Sequence, residues 1–300
     1  MKTSKIAIIG AGAVGATTAY AILMRNIAAE IVLIDINTIR CAGEVLDLSD
    51  ALAFYSSSDI RNGTIADTKD ADIIVIAAGV AQKPDQPRTE LIEKNKEIIT
   101  SVMKSISPLN PDTIVIMVTN PVDIMTLLAQ TLSNIPHNQI FGSGTMLDSQ
   151  RVNIMLSKKL FVSERSITTY ILGEHGDTQF PAWSSAYVGC TPLLEYPGVT
   201  KNELDAIAES VRNKAYEIIK CKGATFFGIA ACVAALCEYV LFDKHMIVPV
   251  STYIDEFKLC MSMPVVLGRR GIERRIAIRL NDEEGKLLEK SADALKSLIM

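Results

Sequence analysis

The feature that most constrains this chain is an alternation, repeated through its first half, between short aliphatic runs and longer stretches with helical spacing. The aliphatic runs lie at residues 5–10 (KIAIIG), 30–35 (EIVLID), 71–79 (ADIIVIAAG) and 112–120 (DTIVIMVTN). They are continuously apolar instead of alternating, as expected of parallel strands covered by helices on both faces. Between them, residues 14–26, 89–107 and 122–132 carry helix-compatible periodicity. Around 139–144 the repetition stops. Beyond it, helices expected near 148–158, 202–220, 225–240 and 282–299 mix with Thr/Val/Ile-rich runs at 166–172 and 245–252 that suggest antiparallel strands. The expected class is α/β, with a parallel sheet and helices on both faces over residues 1–142 and a mixed α+β domain over 143–300. No linker rich in proline or serine separates the two, so a tight interface with a ligand cleft is the natural expectation.

Composition removes several functions. The 300 residues carry a net charge of -4, with 49% hydrophobic and 21% charged side chains, which fits a globular chain that has no general attraction to nucleic acid or anionic membranes. The basic stretch RRGIERR (269–275) reads as a solvated turn or subunit contact, and it lacks interleaved aromatics for nucleic acid. Six cysteines show no paired two-residue spacing and there are three histidines, so buried free thiols are expected and no metal site. Lys2 and Lys5 before an apolar run imitate a signal peptide, but spaced glycines interrupt that run and an acidic strand end follows, so a cytoplasmic protein is expected. The apolar run 226–237 is 12 residues long, too short to span a bilayer.

Gly10, Gly12 and Gly15 form G-x-G-x-x-G between the first strand and a helix. The first glycine permits the turn, the second lets the backbone approach a pyrophosphate, and the third allows close helix–strand packing. Asp35 ends the second strand, where a carboxylate accepts hydrogen bonds from ribose hydroxyls. Together they point to a dinucleotide in a Rossmann-type domain. Asp35 would repel the extra phosphate of NADP, and Ile36 and Asn37 bring no compensating cation, so NAD is favoured, with Arg40 the one nearby residue that weighs the other way.

Two further segments carry chemistry. ILGEHGDTQFPAWS (171–184) sets His175 between glycines and acids, an unusual place for a core histidine and a suitable one for an acid/base. In FGSGTMLDSQR (141–151), Asp148 and Arg151 share a helix face, where they would form either a functional pair or a simple intrahelical ion pair.

Taken in order, GAGAVG, VTNPVD, LDSQR and GEHGD resemble the lactate and malate dehydrogenase family along nearly the whole chain. The resemblance implies reversible hydride transfer between NAD and a small 2-hydroxy acid. His175, Asp148 and Arg88 would be catalytic; Gln82, Arg88, Asn120, Arg151 and Thr225 would bind substrate. Gly10, Gly12, Val14, Gly15, Asp35, Arg40, Gly79, Ser101, Thr119, Asn120 and Ser143 would hold the cofactor. Gln82, where the malate branch carries arginine, Thr225 in KGAT and the GSGTMLDSQR turn point to the lactate branch, with pyruvate and L-lactate as substrates. The loop departs from the usual pattern at Asp85, Gln86 and Pro87, and this leaves a larger 2-oxo acid as the alternative substrate. Asn153 and Thr168 replace the arginine and histidine with which relatives bind fructose 1,6-bisphosphate, so no activation by it is expected. The resemblance also implies a homotetramer or homodimer.

Overall fold

The computed structural model describes residues 4–55, 58–80 and 88–299. The first half runs β1 (Lys5–Ile9), α1 (Ala13–Met24), β2 (Glu30–Ile34), α2 (Thr38–Tyr55), β3 (Asp59–Asn62), β4 (Ile73–Ile76), α3 (Arg88–Ile106), β5 (Ile114–Met117), α4 (Val122–Leu132) and β6 (Ile140–Gly142). The second half runs α5 (Met146–Leu160), β7 (Ile167–Thr168), β8 (Ile171–Leu172), β9 (Phe180–Pro181), β10 (Tyr187–Val188), β11 (Thr191–Pro192), α6 (Lys201–Lys222), α7 (Phe227–Leu241), β12 (Met246–Ile254), β13 (Leu259–Gly268), β14 (Gly271–Arg275) and α8 (Asp282–Ile299).

Six strands pair in parallel in the order β3-β2-β1-β4-β5-β6, with β1 flanked by β2 (Ala7 opposite Val32) and β4 (Ala7 opposite Ile74). The chain adds β2 and β3 on one side of β1 and β4, β5 and β6 on the other, so the strand order reverses between β1 and β4, the switch point outside which ligands bind in open α/β sheets. The aliphatic runs form strands because both faces are covered. Ile6, Ile8, Ile73 and Val75 pack into one apolar layer, and Ala7, Ile9, Ile74 and Ile76 into the other, all nearly inaccessible to water. Each larger side chain of this kind contributes about 1.5–3 kcal/mol on burial.

The sheet continues past the expected domain boundary. Among the described residues, nine strands form one sheet, because β12 joins β6 antiparallel through Ser251 opposite Gly142, and β13 and β14 extend the edge. The expected strand at 166–172 is instead two short pieces, β7 and β8, in different sheets. A third apolar cluster, including Val152, Leu156, Ile167, Leu204 and Val211, lies wholly in the second half. Helix α7 carries most of the apolar run 226–237, and it packs with α1 in the first layer. No helix among the described residues is long and apolar enough to cross a membrane.

Helix ends follow the local sequence. Thr200 and Glu203 form a capping box at the start of α6, and Gly223 closes it in the left-handed region with φ +85°. At α8, Asn281 Oδ1 accepts from the Glu284 N–H while the Glu284 carboxylate accepts from the Asn281 N–H. All six cysteines are free, but Cys190 and Cys221 are exposed, so the expectation of buried thiols holds only for Cys41, Cys232, Cys237 and Cys260. Cys190 lies in the turn between β10 and β11, and Cys221 in the last turn of α6.

Candidate active site

The turn between β1 and α1 is built for close approach. Gly10 has φ +106°, and a Cβ on Gly15 would lie 1.8 Å from the Gly10 carbonyl oxygen. A Cβ on Gly12 would meet nothing within 4 Å, so open space faces the start of α1, whose N-terminal residue offers no side-chain cap. Uncapped helix N–H groups beside open space suit a pyrophosphate. At the end of β2, Asp35 accepts from the N–H of Ala11 (2.6 Å) and of Asn37 (2.8 Å), which fixes the carboxylate beside the glycine turn. Val14 is half-buried. This cradle fits a dinucleotide.

The loops after β4 and β5 lie next to each other. Thr119 is buried and donates to the Ala78 carbonyl at 2.7 Å, and a Cβ on Gly79 would lie 2.5 Å from its methyl group. Asn95, from α3, clamps both loops: its amide oxygen accepts from Val80 N–H (2.9 Å) and its amide nitrogen donates to the Asn120 carbonyl (2.7 Å). Asn120 is itself exposed, and Ser143 is tied to β5 through its N–H to Met117. Two expected cofactor residues stand at the margin of this group. Arg40 is exposed, with its Nε 3.4 Å from Glu44, and Ser101 lies on the exposed side of α3 beside Lys104.

Asp148, from the first turn of α5, is 2% exposed and joins two functional candidates. One oxygen is 2.9 Å from His175 Nδ1 and the other accepts from an Arg151 terminal nitrogen at 2.9 Å. A simple intrahelical ion pair would not include the histidine; here one buried carboxylate orients both groups. The His175 ring is 30% exposed, and with Nδ1 held by Asp148, Nε2 is the ring nitrogen that this carboxylate does not engage. Burial alone would lower the His175 pKa, but the charge and hydrogen bond of Asp148, aided by Asp123, outweigh it and hold it above the ordinary 6.5. For Asp148 the same contest runs the other way. Burial pushes its pKa up, and the His175 and Arg151 partners bring it below 3.8.

Asp123 went unnoticed in the sequence. It lies in the first turn of α4, three residues after Asn120, and is 2% exposed. Its carboxylate accepts from the His175 backbone N–H (2.8 Å) and from Ser251 Oγ (2.6 Å), joining β12, α4 and the 173–178 turn. Burial pushes its pKa up to about 6 against those two hydrogen bonds. An acid inside an apolar helical run, in the VTNPVD stretch already singled out, was the available signal. Ser291 of α8 was also missed: it accepts from the Glu174 N–H at 2.6 Å, while the buried Glu174 carboxylate accepts from Thr178 at 2.6 Å. Gly173, with φ +85°, leaves room for Ser291, whose Oγ would lie 2.4 Å from an added Cβ.

Thr225 is half-buried between α6 and α7; Gly228, three residues on, packs against Leu147, neighbour of Asp148. Asn153 is buried, and its amide oxygen accepts from Thr169 Oγ1 at 2.6 Å, so this side chain is committed to the interior. Gln82, with Asp85, Gln86 and Pro87, lies outside the described residues; Arg88 begins α3, but its side chain lies outside them too.

A dinucleotide cradle at the sheet's switch point, with a carboxylate-oriented histidine and arginine, defines a dinucleotide-dependent oxidoreductase. The lactate/malate dehydrogenase NAD-binding domain matches residues 4–142, and the α/β C-terminal domain of the same family matches residues 145–300. The chain belongs to the lactate/malate dehydrogenase family, and its first half is an NAD(H)-binding domain. Among its relatives, L-lactate dehydrogenase A of Rhizopus oryzae is 44% identical over 98% of this chain and 92% of its own. L-lactate dehydrogenase of Pediococcus acidilactici is 41% identical over 98% of this chain and 94% of its own. The crystal structure of a lactate dehydrogenase from a Medee basin deep-sea metagenome library superposes with a TM-score of 0.95 at 34% identity, covering 100% of this chain and 98% of that one. The minor L-lactate dehydrogenase of Enterococcus mundtii, in a ligand-bound form, gives the same score and identity over 99% and 97%.

Proposed function

We propose that this chain interconverts L-lactate and pyruvate with NAD, using His175 as acid and base. The observation that carries this reading is the buried Asp148 carboxylate, 2.9 Å from both His175 and Arg151. It sets a proton donor and a cation side by side, as a 2-oxo acid requires for its ketone and its carboxylate. Two features favour lactate over malate: Gln82, which offers no charge for a second carboxylate, and L-lactate dehydrogenase relatives that cover nearly the whole chain.

NAD, when bound, supplies or accepts the hydride. Gly10, Gly12, Val14, Gly15 and Asp35 would hold its adenosine and pyrophosphate side, with Arg40 and Ser101 at the margin; Gly79, Thr119, Asn120 and Ser143 would hold the nicotinamide side. Asp35 favours NAD over NADP, because both of its oxygens are already fixed by backbone N–H groups and it is not free to turn away from a phosphate.

Arg151 takes the substrate carboxylate in a two-pronged hydrogen bond, a geometry that lysine does not reproduce. His175, protonated, donates from Nε2 to the ketone oxygen during reduction and recovers that proton from the hydroxyl during oxidation. Asp148 accepts from Nδ1–H throughout, which makes Nε2 the nitrogen that gives and takes the proton and stabilises the imidazolium. Arg88 polarises the ketone and offsets the charge that grows on its oxygen. Asn120 and Thr225 complete the substrate contacts.

The buried Asn153 amide leaves no cation where relatives hold fructose 1,6-bisphosphate, so activity is independent of it. The proposed enzyme works in the cytoplasm and assembles as a homotetramer or homodimer; exposed apolar side chains on α2 such as Ile39 (86%) and Leu46 (69%) support the assembly.

The test is steady-state NADH oxidation with pyruvate, 2-oxobutyrate, 2-oxoisocaproate, phenylpyruvate and oxaloacetate. Pyruvate should lead in kcat/KM. Oxaloacetate or a larger 2-oxo acid in front would move the chain to another branch of its family.

A further inference from the structure

The turn after α7 places two residues in the left-handed region, Asp243 and His245, each with φ +51°. Their side chains meet Glu273 of β14 at the surface. His245 Nε2 lies 3.1 Å from a Glu273 oxygen and 3.8 Å from Asp243 Oδ1, and the three donor atoms all fall within 4.8 Å of one another. None of these residues takes part in the candidate active site, and no spacing rule in the sequence joins them.

The state of the ring decides what this cluster needs. His245 Nδ1 is 2.8 Å from the Asp243 backbone carbonyl. A carbonyl only accepts, so Nδ1 carries the proton. Nε2 then turns toward the two carboxylate oxygens, a convergence of three ligand atoms around negative charge. A positive centre relieves it. Histidine ligands to metals characteristically donate their other N–H to a carbonyl or carboxylate, as this one does.

We propose that Asp243, His245 and Glu273 bind a first-row divalent transition-metal ion, with zinc as the best match to one imidazole and two carboxylates. Donor separations of 3.1 and 3.8 Å bracket the edge of a tetrahedron drawn with bonds of about 2.0–2.2 Å. Asp243 and His245 side chains are each half exposed, so water completes the coordination shell. Asp243 Oδ1 also accepts from the Arg269 N–H at 2.7 Å, which holds the carboxylate in place. Behind the cluster stands Gly268: a Cβ there would lie 2.6 Å from the Glu273 oxygen and 2.9 Å from Asp243 Oδ1. The lack of a side chain at that position gives both carboxylates their room. Lys244, the adjacent cation, is paired with Glu238 and does not fill the site.

The experiment is a calorimetric titration of the full chain with zinc chloride. Cys190 and Cys221 are replaced by serine (C190S/C221S), since exposed thiols would compete for the ion. One zinc per chain should bind saturably, and His245→Gln or Glu273→Gln should weaken it at least tenfold. Gly268→Ala keeps all three ligands but crowds two of them, and should also weaken binding. Circular dichroism on each variant establishes that it is folded before its titration is compared. If the parent and H245Q titrate alike, the histidine is balanced by a proton alone and there is no metal site.

Discussion

Asp148 is the residue on which the site's electrostatics turn, because one buried carboxylate serves both the imidazole and the guanidinium. Replacing it with asparagine keeps the shape and removes the charge that holds the His175 pKa above 6.5. In the proposed mechanism reduction needs protonated His175, so kcat/KM is expected to fall as pH rises through that raised pKa. In Asp148→Asn the basic limb should move to lower pH, by about 1–3 units. A pH–rate profile that does not move would show that Asp148 acts only on Arg151. At the substrate end, Gln82→Arg should shift the ratio of kcat/KM for oxaloacetate over pyruvate upward, since it supplies a cation for the second carboxylate; an unchanged ratio would remove Gln82 as the discriminator. The sequence disclosed His175, Asp148 and Arg151 because each sits in a short motif. For Asp123 the sequence offered only an acid inside an apolar helical run; its role was not legible, since nothing along the chain shows that His175, 52 residues away, would donate its N–H to it.

Elements carry the next set of constraints. Helix α3 supplies Asn95, whose amide joins the loops after β4 and β5, so the positions of Gly79 and Asn120 depend on a side chain that touches neither substrate nor cofactor in the proposed scheme. Asn95→Ala leaves the Val80 N–H and the Asn120 carbonyl without that partner and costs about 1–3 kcal/mol of stability. NADH affinity should fall with it, measured by quenching of NADH fluorescence; a lower melting temperature with unchanged affinity would make Asn95 a purely structural residue. Four of the six parallel strands, β1, β2, β4 and β5, were legible because continuous apolar runs of this length have few alternatives, whereas the polar DIRN of β3 and the three-residue β6 carry no such run. Strand β13 was not legible either: its sequence LCMSMPVVLG mixes cysteine, methionine, serine and proline, yet all ten residues are buried. It is a strand because β12 and β14 pair with it on either side, a cause that no local propensity records.

Across the whole molecule, the two halves are joined by the continued sheet and by polar ties that converge on the site. Asp123 is the most exacting of these. Its folded pKa of about 6 exceeds the ordinary 3.8, so the native state holds its proton more tightly than the unfolded chain. The sign follows directly: this residue's contribution is most favourable at low pH and is lost as pH rises from about 4 to about 6, by on the order of 3 kcal/mol. Asp148 acts oppositely, adding stability above its ordinary pKa that disappears as pH falls through its lowered one. Urea denaturation of Asp123→Asn should show a flatter loss of stability across pH 4 to 6 than the parent protein. A parallel curve would mean that Asp123 titrates normally. Four of the parallel strands, the dinucleotide turn and the candidate acid/base of the proposed mechanism could be read along the chain, because each is written in local periodicity or in a contiguous motif whose chemistry is set by its own backbone. The tertiary structure decided that the sheet runs on into the second half, that Asp123, Asn95 and Ser291 support the site, and that Asp243, His245 and Glu273 meet. Those outcomes depend on contacts between residues tens of positions apart, and only packing brings such residues within a hydrogen bond's reach.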